Sequence, residues 1–155
     1  VTPKPVGQTV TGISKIVLAV DIVDGAVGPV RRDETWTLDV ASGAVSYVDT
    51  AGTTKRATAT PAQVQAMVDA LNASQWHTNT ACFYCCTDGV PYSPKITIAS
   101  SAGNWTLGVS GNPTCAPSSR AYVGDVIRCD DYASLRAAFE TVLAGVASGA
   151  CTTAW

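Results

Sequence analysis

Histidine occurs once in this chain, as His77. A serine–histidine relay therefore has one candidate base and no second choice. Beside Trp76, His77 reads as a residue at a helix C-terminus, a position that histidine favours. No H-E-x-x-H is present, so no zincin arrangement is indicated, and no G-x-x-x-x-G-K-[ST] marks a phosphate loop. "GVSG" at 108–111 lacks the spacing of a nucleophile elbow. Charge is scarce as well. Charged residues make up 14% of the chain, the net charge is −2, and no basic run exceeds two residues (Arg31-Arg32 and Lys55-Arg56). Nucleic-acid binding needs a cluster that neutralises several phosphates, so no nucleic-acid partner is expected. No apolar run reaches the roughly 18 residues of a membrane span. The best candidate, "KIVLAVDIV" at 15–23, is interrupted by Asp21. A signal peptide's n-region and h-region are missing too. The opening "VTPKPVGQTVTG" suits a linker left after removal of a signal or lipid anchor, or else an arbitrary boundary.

Hydrophobic residues are plentiful at 46% of 155 positions, enough to bury the core of one domain. Residues 1–12 read as a flexible N-terminal arm and 13–155 as a single domain. Ile16, Leu18, Val20 and Ile22 alternate at period two, which predicts a strand over Ile13–Asp24. "DGAVGPVRRD" at 24–33 reads as a loop. Asp33 and Glu34 then begin a strand in which Trp36, Leu38 and Val40 share one face. "ASG" at 41–43 is a hairpin turn with Gly43 free to take φ > 0. Strands follow at Ala44–Asp49 and, more polar, at Thr53–Thr58.

The first helix has a complete start signal. Thr60 is the N-cap, Pro61 suits the first helical position, and Gln63 completes a capping box. Val64, Met67, Val68 and Leu71 form one apolar stripe, and the pattern fades at 72–74. A long connection at 77–93 precedes strands at 95–100 and 104–109, and a second runs from 110 to 129. A second helix begins at Asp130 or Asp131, read as capping residues. Its apolar face carries Leu135, Ala138, Phe139, Val142, Leu143 and Val146. The expectation is an α+β domain, with two helices on one face of an antiparallel sheet of four to six strands.

Six cysteines are the main unexplained feature: Cys82, Cys85, Cys86, Cys115, Cys129 and Cys151. Zinc sites usually take four ligands in two close pairs, and only one C-x-x-C exists here. Redox C-x-x-C pairs usually open a helix, whereas this one follows a helix. An even count in an exported chain favours three disulfides. Loops beyond about 12–15 residues are uncommon in compact domains, and both long connections carry cysteine. The expected pairing is Cys115–Cys129, one of Cys85 and Cys86 to Cys151, and the other to Cys82. No metal or other cofactor is expected.

Exposed aromatic and arginine residues are the usual anchors of interfaces. The cysteine-rich loop offers Phe83, Tyr84, Asp88 and Tyr92, and the glycine-rich loop offers Val27, Pro29, Arg31 and Arg32. Burial of Phe83 and Tyr84 under their loop is equally compatible with the sequence. Trp36 and Trp105 lie in phase with apolar neighbours and belong to the core, which leaves Trp76 and Trp155 as carbohydrate-stacking candidates. Asp88 reads as a turn residue, and the remaining carboxylates are dispersed. Sequons stand at Asn72-Ala73-Ser74 and Asn104-Trp105-Thr106.

The layout of "ISKIVLAVDIVDGAVGPVRRDETWTLDVASGAVSYV", then "TPAQVQAMVDAL", then "TDGVPYSPKITI" and a closing helix resembles small exported bacterial domains and lipoproteins related to emfourin. Emfourin is an inhibitor of thermolysin-like metalloproteases. The resemblance spans roughly 13–146, with Gly25, Gly28 and Arg31 at a Gly-x-x-Gly and Arg of that layout. Pro29, the two cysteine-bearing connections and the cysteine tail depart from it, so no inhibitory residue is carried over. The leading reading is a secreted, periplasmic or cell-surface, non-enzymatic protein-binding domain. Its partner is another protein, a protease in the case of an inhibitor. A secreted hydrolase, a carbohydrate-binding module and a structural envelope domain are the alternatives.

Overall fold

The computed structural model describes residues 9–24, 30–74, 76–82, 92–110 and 121–143, with the backbone alone at several strand ends. Alternation produces the strands at the centre. β1 (Ile13–Asp24) lies between β2 (Val30–Asp39) and β6 (Tyr92–Ser100). β3 (Ala44–Asp49) and β4 (Thr54–Thr58) extend the sheet beyond β2, and β4 is one edge. On the other side come β7 (Gly103–Ser110), β8 (Ala121–Arg128) and the second edge, β5 (His77–Cys82). The order is β4-β3-β2-β1-β6-β7-β8-β5. All neighbours pair antiparallel except β7 and β8, which run parallel through Gly108↔Val126, Val109↔Ile127 and Ser110↔Arg128.

The expected antiparallel sheet of four to six strands is therefore corrected to a mixed sheet of eight. The added strands come from the two stretches read as long connections. β5, "HTNTAC", has no apolar alternation because it is an edge strand. β8 begins after the chain has left the end of β7 and returned, and that return makes the pair parallel. β2 also starts earlier than expected, at Val30, because its arginines pair with β1 as Val23↔Arg31 and Ile22↔Arg32.

Register places ten large apolar side chains of five strands on one face. One row is Val45, Leu38, Ile16, Ile98 and Trp105; the next is Tyr47, Trp36, Leu18, Ile96 and Leu107. All ten are buried. α1 (Pro61–Ala73) and α2 (Cys129–Glu140) add Met67, Leu71, Tyr132, Leu135 and Phe139 to the same core, joined by Leu143 just past α2. Trp36 and Trp105 are core residues, as their phase requires. The opposite face carries Thr35, Thr37, Ser46, Thr97 and Thr106, all half-buried or exposed.

Local signals at the joints hold. Thr60 accepts from the Gln63 amide at 3.2 Å, and the Gln63 side chain accepts from the Thr60 amide at 2.9 Å. Gly43 has φ 72°, and a Cβ there would lie 2.7 Å from the Ala59 carbonyl oxygen. α2 differs from expectation. Its N-cap is Arg128, with no side-chain cap bond, and Asp130 and Asp131 stand inside the first turn. They act there through their charge at the positive end of the helix. Packing also reaches back to Val10, within the stretch read as a flexible arm. Val10 is buried, and its amide donates to Asn72 Oδ1 at 2.7 Å. No helix among the described residues is long and apolar enough to cross a membrane.

Candidate functional site

The strand register decides where the expected binding segments lie. Ile22 of β1 pairs with Arg32 on one side and with Tyr92 on the other. The glycine-rich connection at 25–29 leaves β1 and enters β2 at this same end. β6 starts here, and β7 and β8 finish here with Ser110 opposite Arg128. Two segments separated by about sixty residues in the chain thus meet across one strand. Arg31, Arg32 and Tyr92 are strand residues rather than loop residues. Val27, Pro29, Phe83, Tyr84 and Asp88 lie outside the described residues.

Four of the six cysteines lie outside them too. Cys82 ends β5, where its backbone pairs with Ala121, and Cys129 opens α2. Cys85, Cys86, Cys115 and Cys151 fall in undescribed stretches, as does Trp155. His77 is corrected. α1 stops at Ala73 with Ser74 as its C-cap, and His77 is the first residue of β5. Trp76 is corrected as well. It is 2% exposed and packs edge-on against Trp105 at 6.1 Å, so it offers no stacking platform. The sequon at Asn72 has its amide engaged by Val10, with Nδ2 donating to the Val10 carbonyl at 3.4 Å.

Beneath the shared end lies a charged network that sequence reasoning missed. Arg136 of α2 is 3% exposed and ion-pairs with Glu34 of β2 at 2.9 Å and with Glu140 at 3.2 Å. The Tyr47 hydroxyl donates to Glu34 Oε2 at 3.4 Å, a long contact. Trp36 packs edge-on to Tyr47 at 4.9 Å and to Phe139 at 6.0 Å, and the Arg136 guanidinium sits 5.9 Å from the Trp36 ring centre. Burial and the Glu34 charge push the Tyr47 phenol above its ordinary value.

The signal for this network was present. Glu34 precedes Trp36 by two and Leu38 by four, so it shares their buried phase. Arg136 and Glu140 are one helical turn apart. The chemistry available is charge pairing. Glu34 and Arg136 are closed to solvent, and only Glu140 keeps partial access. Burial limits solvent access to the Glu34 carboxylate, and Arg136 balances its charge. The network fastens α2 to the sheet. Among the described residues no group of three or more His, Cys, Asp or Glu is placed to hold a metal.

No protein-family model matches the chain, and no curated protein or solved structure matches it either.

Proposed function

We propose that this protein is an exported, non-enzymatic protein-binding domain that works through the end of the sheet where β1, β2 and β6 meet. The observation that carries this reading is the pairing of Ile22 with both Arg32 and Tyr92. It supports a patch in which Arg31 and Arg32 of β2 and Tyr92 of β6, residue types common in interfaces, share one end of the sheet. Strand pairing holds the backbone of these three residues, so they lose little conformational freedom on binding. The buried strap from Glu34 to Arg136 supports the same end from below.

Within that reading, inhibition of a protease by occupation of its cleft is the activity to test first. Carbohydrate stacking is less well supported, because Trp36, Trp76 and Trp105 are all buried. The test is titration of thermolysin, with other metallo-, serine and cysteine proteases in parallel. Expected is stoichiometric inhibition of at least one protease, weakened tenfold or more by the pair Arg31→Glu and Arg32→Glu with unchanged melting temperature. Turnover of a substrate by the pure domain, abolished by replacing one carboxylate, would contradict the proposal.

A further inference from the structure

β4 is the edge of the sheet, and its outer side has a specific hydrogen-bonding phase. The Ala59 amide donates to the Gly43 carbonyl at 2.7 Å, and the Asp49 amide donates to the Thr53 carbonyl at 3.1 Å. Bonded pairs alternate along an antiparallel ladder. Val45↔Ala57 and Tyr47↔Lys55 are therefore the bonded pairs between these two, and Ala44↔Thr58, Ser46↔Arg56 and Val48↔Thr54 are not. The N–H and C=O groups of Thr54, Arg56 and Thr58 consequently point away from the sheet. All three residues are exposed. Among the described residues none bonds to those outward groups, and Arg56 makes no ion pair.

Beside this edge, on the threonine-rich face, runs a trough of about 430 Å³. Ala44 and Ser46 form its floor, Thr37 and Asp39 one wall, and Arg56 and Thr58 the other. The floor is low because β3 carries small side chains here. An added strand could lean its side chains into that space.

We propose that β4 is a docking edge for an extended, acidic peptide segment of a partner protein, which adds antiparallel as a ninth strand. Lys55 and Arg56 are adjacent, so they face opposite sides of the sheet. Two adjacent acidic residues in the incoming strand would place one carboxylate on each side, opposite these cations. A second copy of this chain fits less well. Self-pairing that keeps this phase is centred on a residue, and centring on Lys55 or on Arg56 sets that cation against its own copy. Like charges directly opposite destabilise a strand pair. The chain's own undescribed segments fit no better, since Asp88 is their only acidic residue. This surface is separate from the end of the sheet assigned to the binding function above.

The test uses a fluorescein-labelled hexapeptide, Thr-Val-Glu-Asp-Val-Thr, and fluorescence anisotropy with the full chain. Expected is saturable binding, at least tenfold weaker for Arg56→Glu and for a peptide with lysines in place of its two acids. Two further peptides, N-methylated at alternate residues in opposite phases, separate strand addition from charge attraction. One phase should abolish binding and the other leave it within twofold. Equal binding of both methylated peptides overturns strand addition, and no binding of the parent peptide overturns the docking edge. A concentration-dependent dimer that Arg56→Glu disrupts would assign the edge to a second copy and overturn the peptide partner.

Discussion

Loss of the Arg136 side chain would leave a buried charge behind. Arg136 neutralises Glu34, which is buried and lies opposite Asp49 in the β2–β3 ladder. Breaking a buried pair by removing one partner typically costs about 3–5 kcal/mol, whereas replacing both with apolar residues is often neutral. Arg136→Leu should therefore destabilise the domain by about 3 kcal/mol or more. Adding Glu34→Leu should restore most of that loss, as read from urea midpoints at constant m-value. Asp39 gives a prediction of a different kind. Its carboxylate accepts from the Ser42 amide at 2.9 Å and the Ser42 hydroxyl at 2.8 Å, and these bonds, with help from Lys15, hold its pKa below the ordinary carboxylate value. A depressed folded-state pKa adds stability that is present above the unfolded value and lost as pH falls through the folded one. The stability gap between the wild type and Asp39→Asn should be constant from about pH 7 to 5 and narrow below about pH 4. A gap that widens in acid would refute the assignment.

At the scale of elements, what could be read depended on whether each segment carries its own pattern. α1 declared itself through Thr60, Pro61 and Gln63, which act within four residues. Thr60→Ala should cost about 1 kcal/mol, and thermal melts should show it without a change of fold. The turn before β3 was equally legible because Gly43 must take a positive φ there. Gly43→Ala should cost more than the cap, since it combines roughly 1–2 kcal/mol for the left-handed conformation with the close approach of the Ala59 carbonyl. β5 and β8 were not legible. "HTNTAC" is polar at the positions where a buried strand would be apolar, and its place comes from pairing with β8 across a gap of 38 or more residues. β8 carries a glycine and an aspartate, and its parallel partner is set by the chain's return path, which no local pattern encodes. The network around Glu34 stands between these cases. Its members were in the buried phase, but their pairing needed the packing of α2 on β2.

For the whole molecule, one apolar sheet face and two helices form one core, and the register brings the start of β6 beside the β1–β2 connection. The six cysteines give a prediction for the proposed disulfide framework. Three disulfides should leave no reactive thiol when the air-oxidised protein is denatured without reductant, and each should stabilise by about 2–4 kcal/mol. Six reactive thiols would remove that framework. The central claim concerns where a partner sits. Its most direct measurement is amide hydrogen exchange on the complex with an inhibited protease. The account predicts slowed exchange at 22–34 and 92–96, with β5 unchanged. Slowed exchange confined to other strands, with 22–34 exchanging as in the free protein, would contradict it.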